Sequence, residues 1–303
     1  MTTTRRPISV GFISRSILPA LIFFSCNALT TPTSAKETRA VVSKVVAKKP
    51  ATVFQFSTLP ALSLGLYDGE MTFGELLKHG DFGVGTFDAL DGEMILLDGK
   101  AWRVRADGVV SRVAKNETTP FAAVTRFAPT NTVKVSQPIE YSMLGERISA
   151  MPQMPNVPYA KPQSPNLPIA IRVRGLFSRL KVRSVPRQNK PYRALSEVVK
   201  TQSVFEWKNV RGTLVGFRFP SYLSSVNLAD YHFHFLSDDK TRGGHVLDGE
   251  LQSGEISVQT LRGFAMQLPQ NADFDNLNLA ADQSASLKAA ESKPESKPET
   301  GAK

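Results

Sequence analysis

Three Asp-Gly pairs, Asp91-Gly92, Asp98-Gly99 and Asp107-Gly108, fall within one short stretch and are separated only by apolar-rich runs. Asp-Gly accepts the positive φ angles of tight hairpin turns, so the chain must reverse direction repeatedly here. The intervening pieces, EMILL, KAWRVRA and VVSRVA, are rich in β-branched and large apolar residues. A β-meander is predicted. Further strands are expected at PFAAVTRFAP, LPIAIRVRG, FSRLKVRSV, VRGTLVGFRFP, YHFHFL and HVLDGEL. Helices are few: Thr72 and Glu75 have capping-box spacing ahead of FGELLKH, and RALSEVVKTQ has a helical pattern. The Met/Pro-rich stretch MLGERISAMPQMPNVPYAKPQSPN reads as a long surface loop joining two halves. The fold class is therefore α+β and strand-dominated, with large mixed or antiparallel sheets.

The termini differ in character. Residues 1–35 carry Arg5, Arg6 and Arg15 with no acid, then the short apolar run ILPALIFFSCNA and a small-residue exit. That is the layout of a secretory signal peptide, with a retained anchor as the alternative. Residues 36–51 read as a flexible leader, and 280–303, with its repeated ESKPE, as a disordered low-complexity tail. The expected export is to the periplasm or beyond the cell, without stable membrane association after cleavage. Cys26 is the sole cysteine, so a chain matured near Lys36 has no thiol chemistry and no disulfide framework. The formal charge of +10 includes those three signal-peptide arginines. No basic stripe is interleaved with aromatics, so nucleic acid is not an expected partner.

Of the four histidines, three lie in YHFHFLSDDKTRGGHVLDGE, residues 231–250. His232 and His234 are two apart, so on a strand both imidazoles face the same way. A polar Gly-Gly turn then lets the chain return and bring His245 beside them. Three neutral imidazoles with positions left open are the ligand set of a catalytic zinc site, although nickel, cobalt or iron accept the same set. Ordinary polar positions on an amphipathic strand are the alternative. The fourth, His79, reads as a surface or C-capping residue before Gly80. Gly83 and Gly85 lack the Lys-Ser/Thr of a phosphate loop.

Four separate stretches carry a resemblance: residues 66–100, VRSVPRQNKPY (182–192), VRGTLVGFRFP (210–220) and YHFHFLSDDKTRGGHVLD (231–248). In this order, over roughly residues 53 to 279, the chain resembles the α-acetolactate decarboxylase family. The resemblance implies a catalytic domain over 52–279, with His232, His234 and His245 binding Zn2+. It implies Thr86 and Glu93 in GTFDALDGE and Arg183 in VRSVP as active-site residues, and a further C-terminal glutamate, for which Glu291 is the candidate against a solvated tail charge as the alternative. The implied reaction takes the small molecule 2-acetolactate to (R)-acetoin and carbon dioxide through a metal-bound enediolate, in a homodimer. Glu93 would act as acid/base and Arg183 would orient the carboxylate, while Thr86 would bond the substrate or orient Glu93. Two departures, Pro168 with Ile169 in place of aromatic residues and an atypical linker at 144–165, bear on pocket shape. A three-histidine zinc hydratase or hydrolase, or a non-enzymatic metal- or ligand-binding relative, are the competing functions.

Overall fold

A computed structural model describes residues 49–153 and 161–280, together with Gln283 and Leu287. The proposed signal peptide, nearly all of the leader and the tail, and Glu291 with it, lie outside the described residues.

The first half follows the Asp-Gly punctuation. β1 (Thr52–Phe56) leads into α1 (Leu59–Ser63), then β2 (Met71–Thr72), α2 (Phe73–His79) and β3 (Phe82–Thr86). β4 (Glu93–Leu97), β5 (Lys100–Val104), β6 (Val110–Arg112), β7 (Thr118–Thr119) and β8 (Ala122–Thr125) complete it. Asp98 and Gly99, at φ 50° and 70°, make the two-residue hairpin between β4 and β5. Thr72 caps α2 by accepting from the Glu75 amide at 3.2 Å, while the Glu75 carboxylate turns to Lys78. His79 ends that helix and stacks on Phe54, with ring centroids 3.7 Å apart.

The second half is built from much longer strands. β9 (Asn131–Val135) and β10 (Ile139–Glu140) precede α3 (Tyr141–Ser149), β11 (Ile169–Ser184) and α4 (Leu195–Val198). β12 (Ser203–Phe219), β13 (Asp230–Ser237), β14 (Gly243–Thr260), β15 (Gly263–Gln267) and α5 (Ala272–Asp275) follow. β15 returns to the first half and pairs parallel with β1, giving a seven-stranded mixed sheet in the order β15-β1-β8-β3-β4-β5-β6. The second sheet is antiparallel, in the order β10-β14-β11-β12-β13, with β9 beside β14. A further pairing of β14 with β13 closes the four long strands into a ring.

Two expectations are corrected. The strands predicted separately at LPIAIRVRG and FSRLKVRSV are one strand, β11. Gly175, the last residue of the first stretch, does not end the strand. It lies directly across from Gly212 and Gly254, and a Cβ there would meet the Ser253 carbonyl at 2.2 Å, so glycine permits close strand approach. The Met/Pro-rich stretch is not irregular throughout, because α3 covers its first residues. Leu144 and Ile148, four apart, bury one face of that helix, and the Tyr231 hydroxyl donates to the Gly145 carbonyl at 2.8 Å.

The core that matters for the site lies between the sheets. Phe82, Val84, Ile95 and Val104 from the first pack with Ala170, Val215, Phe217 and Leu236 from the second. A second cluster joins α1 and α4 through Leu59, Leu62, Tyr67, Leu90, Val185, Leu195 and Val198. Leu287, inside the segment read as a tail, is buried in this cluster. Ile169, the first residue of β11, is buried in another core cluster and does not line the site cavity. Among the described residues no helix is long and apolar enough to cross a membrane.

Gly216 tests this packing. It pairs with Phe233 across β12 and β13, and a Cβ would meet the His232 carbonyl at 2.2 Å and the Phe233 ring at 2.4 Å. Gly216→Ala should destabilise the protein by about 1–3 kcal/mol in urea unfolding, the range for overpacking a filled interior.

Candidate metal centre

The three histidines reach one point because of where β13 turns back. His232 and His234 alternate along β13 and face one side of it, both buried. The turn after Ser237 is held by its own side chains. Ser237 Oγ accepts from the amides of Thr241 and Arg242, and Asp239 accepts from Ser237 Oγ and the Thr241 amide. Those bonds hold the Asp239 carboxyl down at about 2. β14 then starts, placing His245 directly opposite His234. Gly244, at φ 143°, precedes it; a Cβ there would meet the Arg183 carbonyl at 2.6 Å. Glycine thus lets β14 lie close to β11 with Arg183 opposite His245.

The ring nitrogens converge. His232 Nε2 lies 3.2 Å from His234 Nε2 and 3.1 Å from His245 Nδ1. Nitrogens bound tetrahedrally at about 2.0–2.1 Å from zinc are roughly 3.3 Å apart, so these separations match the edges of such a site. His234 Nδ1 lies 2.8 Å from the Met94 carbonyl. A carbonyl only accepts, so Nδ1 carries the proton and the lone pair is on Nε2, the atom that meets His232. Burial, with the Arg183 charge adding to it, pushes His232 down to about 3, so that ring is neutral as a ligand must be. The donor set therefore fits a metal ion, and the group can hold one.

Glu93 and Arg183 complete the polar side. Glu93 opens β4 and is buried, with Oε2 3.5 Å from His234 Nε2. Arg183 is buried near the end of β11. Thr86 pairs with Glu93 across β3 and β4, and its hydroxyl donates to the Gly92 carbonyl at 2.7 Å. Its proton is therefore committed to the backbone just before Glu93. One small cavity, about 30 Å³, is lined by all six of these predicted residues. Its apolar side is Leu59 and Leu62 of α1, Leu90, Phe121, Val185 and Leu195 of α4.

That apolar wall was missed from sequence. Its one local signal was the capped LPALS run after Thr58, whose hydroxyl accepts from the Ala61 amide at 3.2 Å. Nor does sequence announce the loop between β3 and β4. Ala89 and Leu90 there are left-handed, at φ 56° and 57°, a conformation that costs about 1–3 kcal/mol per non-glycine residue. Neighbours hold it in place. Ala89 donates its amide to Tyr67 O and accepts from Gln188 N, each at 2.8 Å. Asp91 faces Arg103 at 3.3 Å, Arg105 at 3.5 Å and Arg187 at 3.9 Å. Arg103 also pairs with Glu117 and lies over the Phe87 ring.

A buried three-histidine centre beside a carboxylate and a guanidinium, set between two sheets, is the architecture of a small-molecule enzyme. The alpha-acetolactate decarboxylase family profile matches residues 53–281. The alpha-acetolactate decarboxylase of Methanosarcina mazei is 44% identical over 227 residues, 75% of each chain. That of Methylococcus capsulatus is 44% identical over 239 residues, 79% of this chain and 88% of the relative. The crystal structure of the Bacillus subtilis alpha-acetolactate decarboxylase superposes with a TM-score of 0.75 at 36% identity, covering 80% of this chain and 100% of that one. The chain belongs to the alpha-acetolactate decarboxylase family.

Asp91 gives the loop a direct test. Asp91→Ala should lower unfolding stability by about 2 kcal/mol, since it strips charged partners from partly buried arginines. Combined with Arg103→Ala, the loss should be smaller than the sum of the two single losses, as read by urea denaturation.

Proposed function

We propose that the protein is a zinc-dependent carboxy-lyase converting 2-acetolactate to (R)-acetoin and carbon dioxide. The observation that carries this reading is the meeting of three histidine nitrogens, Glu93 and Arg183 at one buried cavity, in a chain of this family.

His232, His234 and His245 would hold the zinc. When bound, zinc supplies a Lewis acid that stabilises the negative charge left as carbon dioxide departs. Arg183 binds and orients the substrate carboxylate; a guanidinium hardly deprotonates, so it is not the proton donor. Glu93 holds the proton and delivers it to the carbon that has lost carbon dioxide. Delivery from one fixed side gives one enantiomer, and the Thr86 bond to the Gly92 carbonyl keeps the start of β4 in place for it. The leucine-lined side excludes water from the reacting carbon. Export follows from the layout of residues 1–35, and a homodimer from the family resemblance.

The test is acetoin formation from racemic acetolactate by the purified protein. Activity should vanish on chelation and return with zinc. Glu93→Gln should lower kcat by about 10²-fold or more while zinc remains bound. A folded, zinc-loaded protein that makes no acetoin sinks the reading. Hydration or ester cleavage by that same protein would move it to the hydratase or hydrolase class.

A further inference from the structure

The cavity sorts its lining by chemistry. The histidines and Glu93 lie together, with Arg183 and Thr86 as further polar lining, while the leucines pack with one another in a single apolar cluster. On the decarboxylase reading, on which this inference rests, the reacting carbon C2 carries a carboxylate, a hydroxyl, an acyl group and an alkyl group. The three oxygen-bearing groups belong with the polar side. The alkyl group is left for the leucines.

Among these leucines Leu90 is set apart by its backbone. Leu59, Leu62 and Leu195 sit on α1 and α4, in helical conformation. Leu90 is left-handed, directly after a second left-handed residue and in the loop that links Thr86 to Glu93. Glycine would occupy that conformation without strain. A branched side chain held there, 2% exposed and lining a cavity of about 30 Å³, is presented to the cavity at a cost. Backbone and side-chain contacts hold the loop around it. Leu90 donates its amide to Phe87 O and accepts from Gly92 N, each at 2.8 Å. On either side of it, Asp88 accepts from the Gly69 amide at 2.9 Å and Asp91 faces Arg103.

We propose that Leu90 is a specificity-determining residue, setting the size of the C2 alkyl group and confining the enzyme to short-chain 2-alkyl-2-hydroxy-3-keto acids. A rigid leucine wall leaves no room for each added methylene. Pockets of this kind discriminate by about tenfold or more per methylene.

The experiment compares kcat/KM for the 2-methyl, 2-ethyl and 2-propyl acids, using full-length, zinc-loaded wild type, Leu90→Ala and Leu90→Gly. In the wild type kcat/KM should fall steeply from methyl to propyl. Both variants should raise the propyl-to-methyl ratio by about tenfold. If Leu90 only fills the core, both variants lower all three values together and the ratio stays put, which overturns the inference. Equal turnover of the methyl and propyl acids by the wild type also overturns it, without requiring any variant to fold. Leu90→Gly, which relaxes the backbone, carries the measurement should Leu90→Ala not fold. No turnover of any of the three by wild type overturns the decarboxylase reading itself. Turnover of the methyl acid with an unmoved ratio overturns this inference alone.

Discussion

His234 donates from Nδ1 to the carbonyl of Met94, and that bond crosses from one sheet to the other. His234 stands on β13 of the closed second sheet; Met94 is the second residue of β4, an interior strand of the seven-stranded sheet. The bond fixes the tautomer, the ring orientation and the distance between the sheets together. Glu93 is the neighbour of Met94 in the chain, so what orients the His234 ring also sets the carboxylate beside it, 3.5 Å from Nε2. The Met94 carbonyl points at His234 while the strand still pairs with β3 and β5.

Burying such a group of polar side chains is expensive unless each has partners. The apolar core between the sheets provides the driving force that keeps the strands in place. Phe82, Ile95 and Val104 face Val215, Phe217 and Leu236. Glycines then supply the close approaches that side chains would prevent. Gly216 brings β12 against β13 behind His232, and Gly244 brings β14 against β11 beside Arg183. Histidine geometry is therefore paid for in hydrophobic contact and glycine placement, with little contributed by the histidines themselves.

What was legible in sequence follows the range of the interaction. The Asp-Gly hairpins, the Thr72 cap and the alternation of His232 with His234 are local, and each has a short-range physical signature. The return of His245 was legible too, because a five-residue turn separates its strand from β13. Arg183 and Glu93 were not legible from local pattern. Alone each reads as a solvated strand position, and only the four family stretches drew attention to them. β11 was expected as two strands because a glycine in an apolar run looks the same whether it ends a strand or admits a neighbouring backbone. Composition likewise hid α3, whose Leu144 and Ile148 sit among Met and Pro. The leucine wall had no signature, since Leu59, Leu90 and Leu195 are distant in the chain and meet only through the fold.

The loop between β3 and β4 shows how strain and charge cooperate. Two consecutive left-handed residues are unfavourable by themselves, and an isolated six-residue link would relax out of them. Asp88 and Asp91 bracket the pair, and Arg187 faces both, at 3.3 Å and 3.9 Å. Arg187 lies four residues beyond Arg183, just past the end of β11. The chain that leaves the guanidinium of the site thus fastens the loop that leads into its carboxylate. Gln188 adds a backbone bond to Ala89 at 2.8 Å from the same segment. Glu93 and Arg183, far apart in sequence, are held in register by a second set of charges one layer further out. A displacement of either strand end would have to break both sets at once.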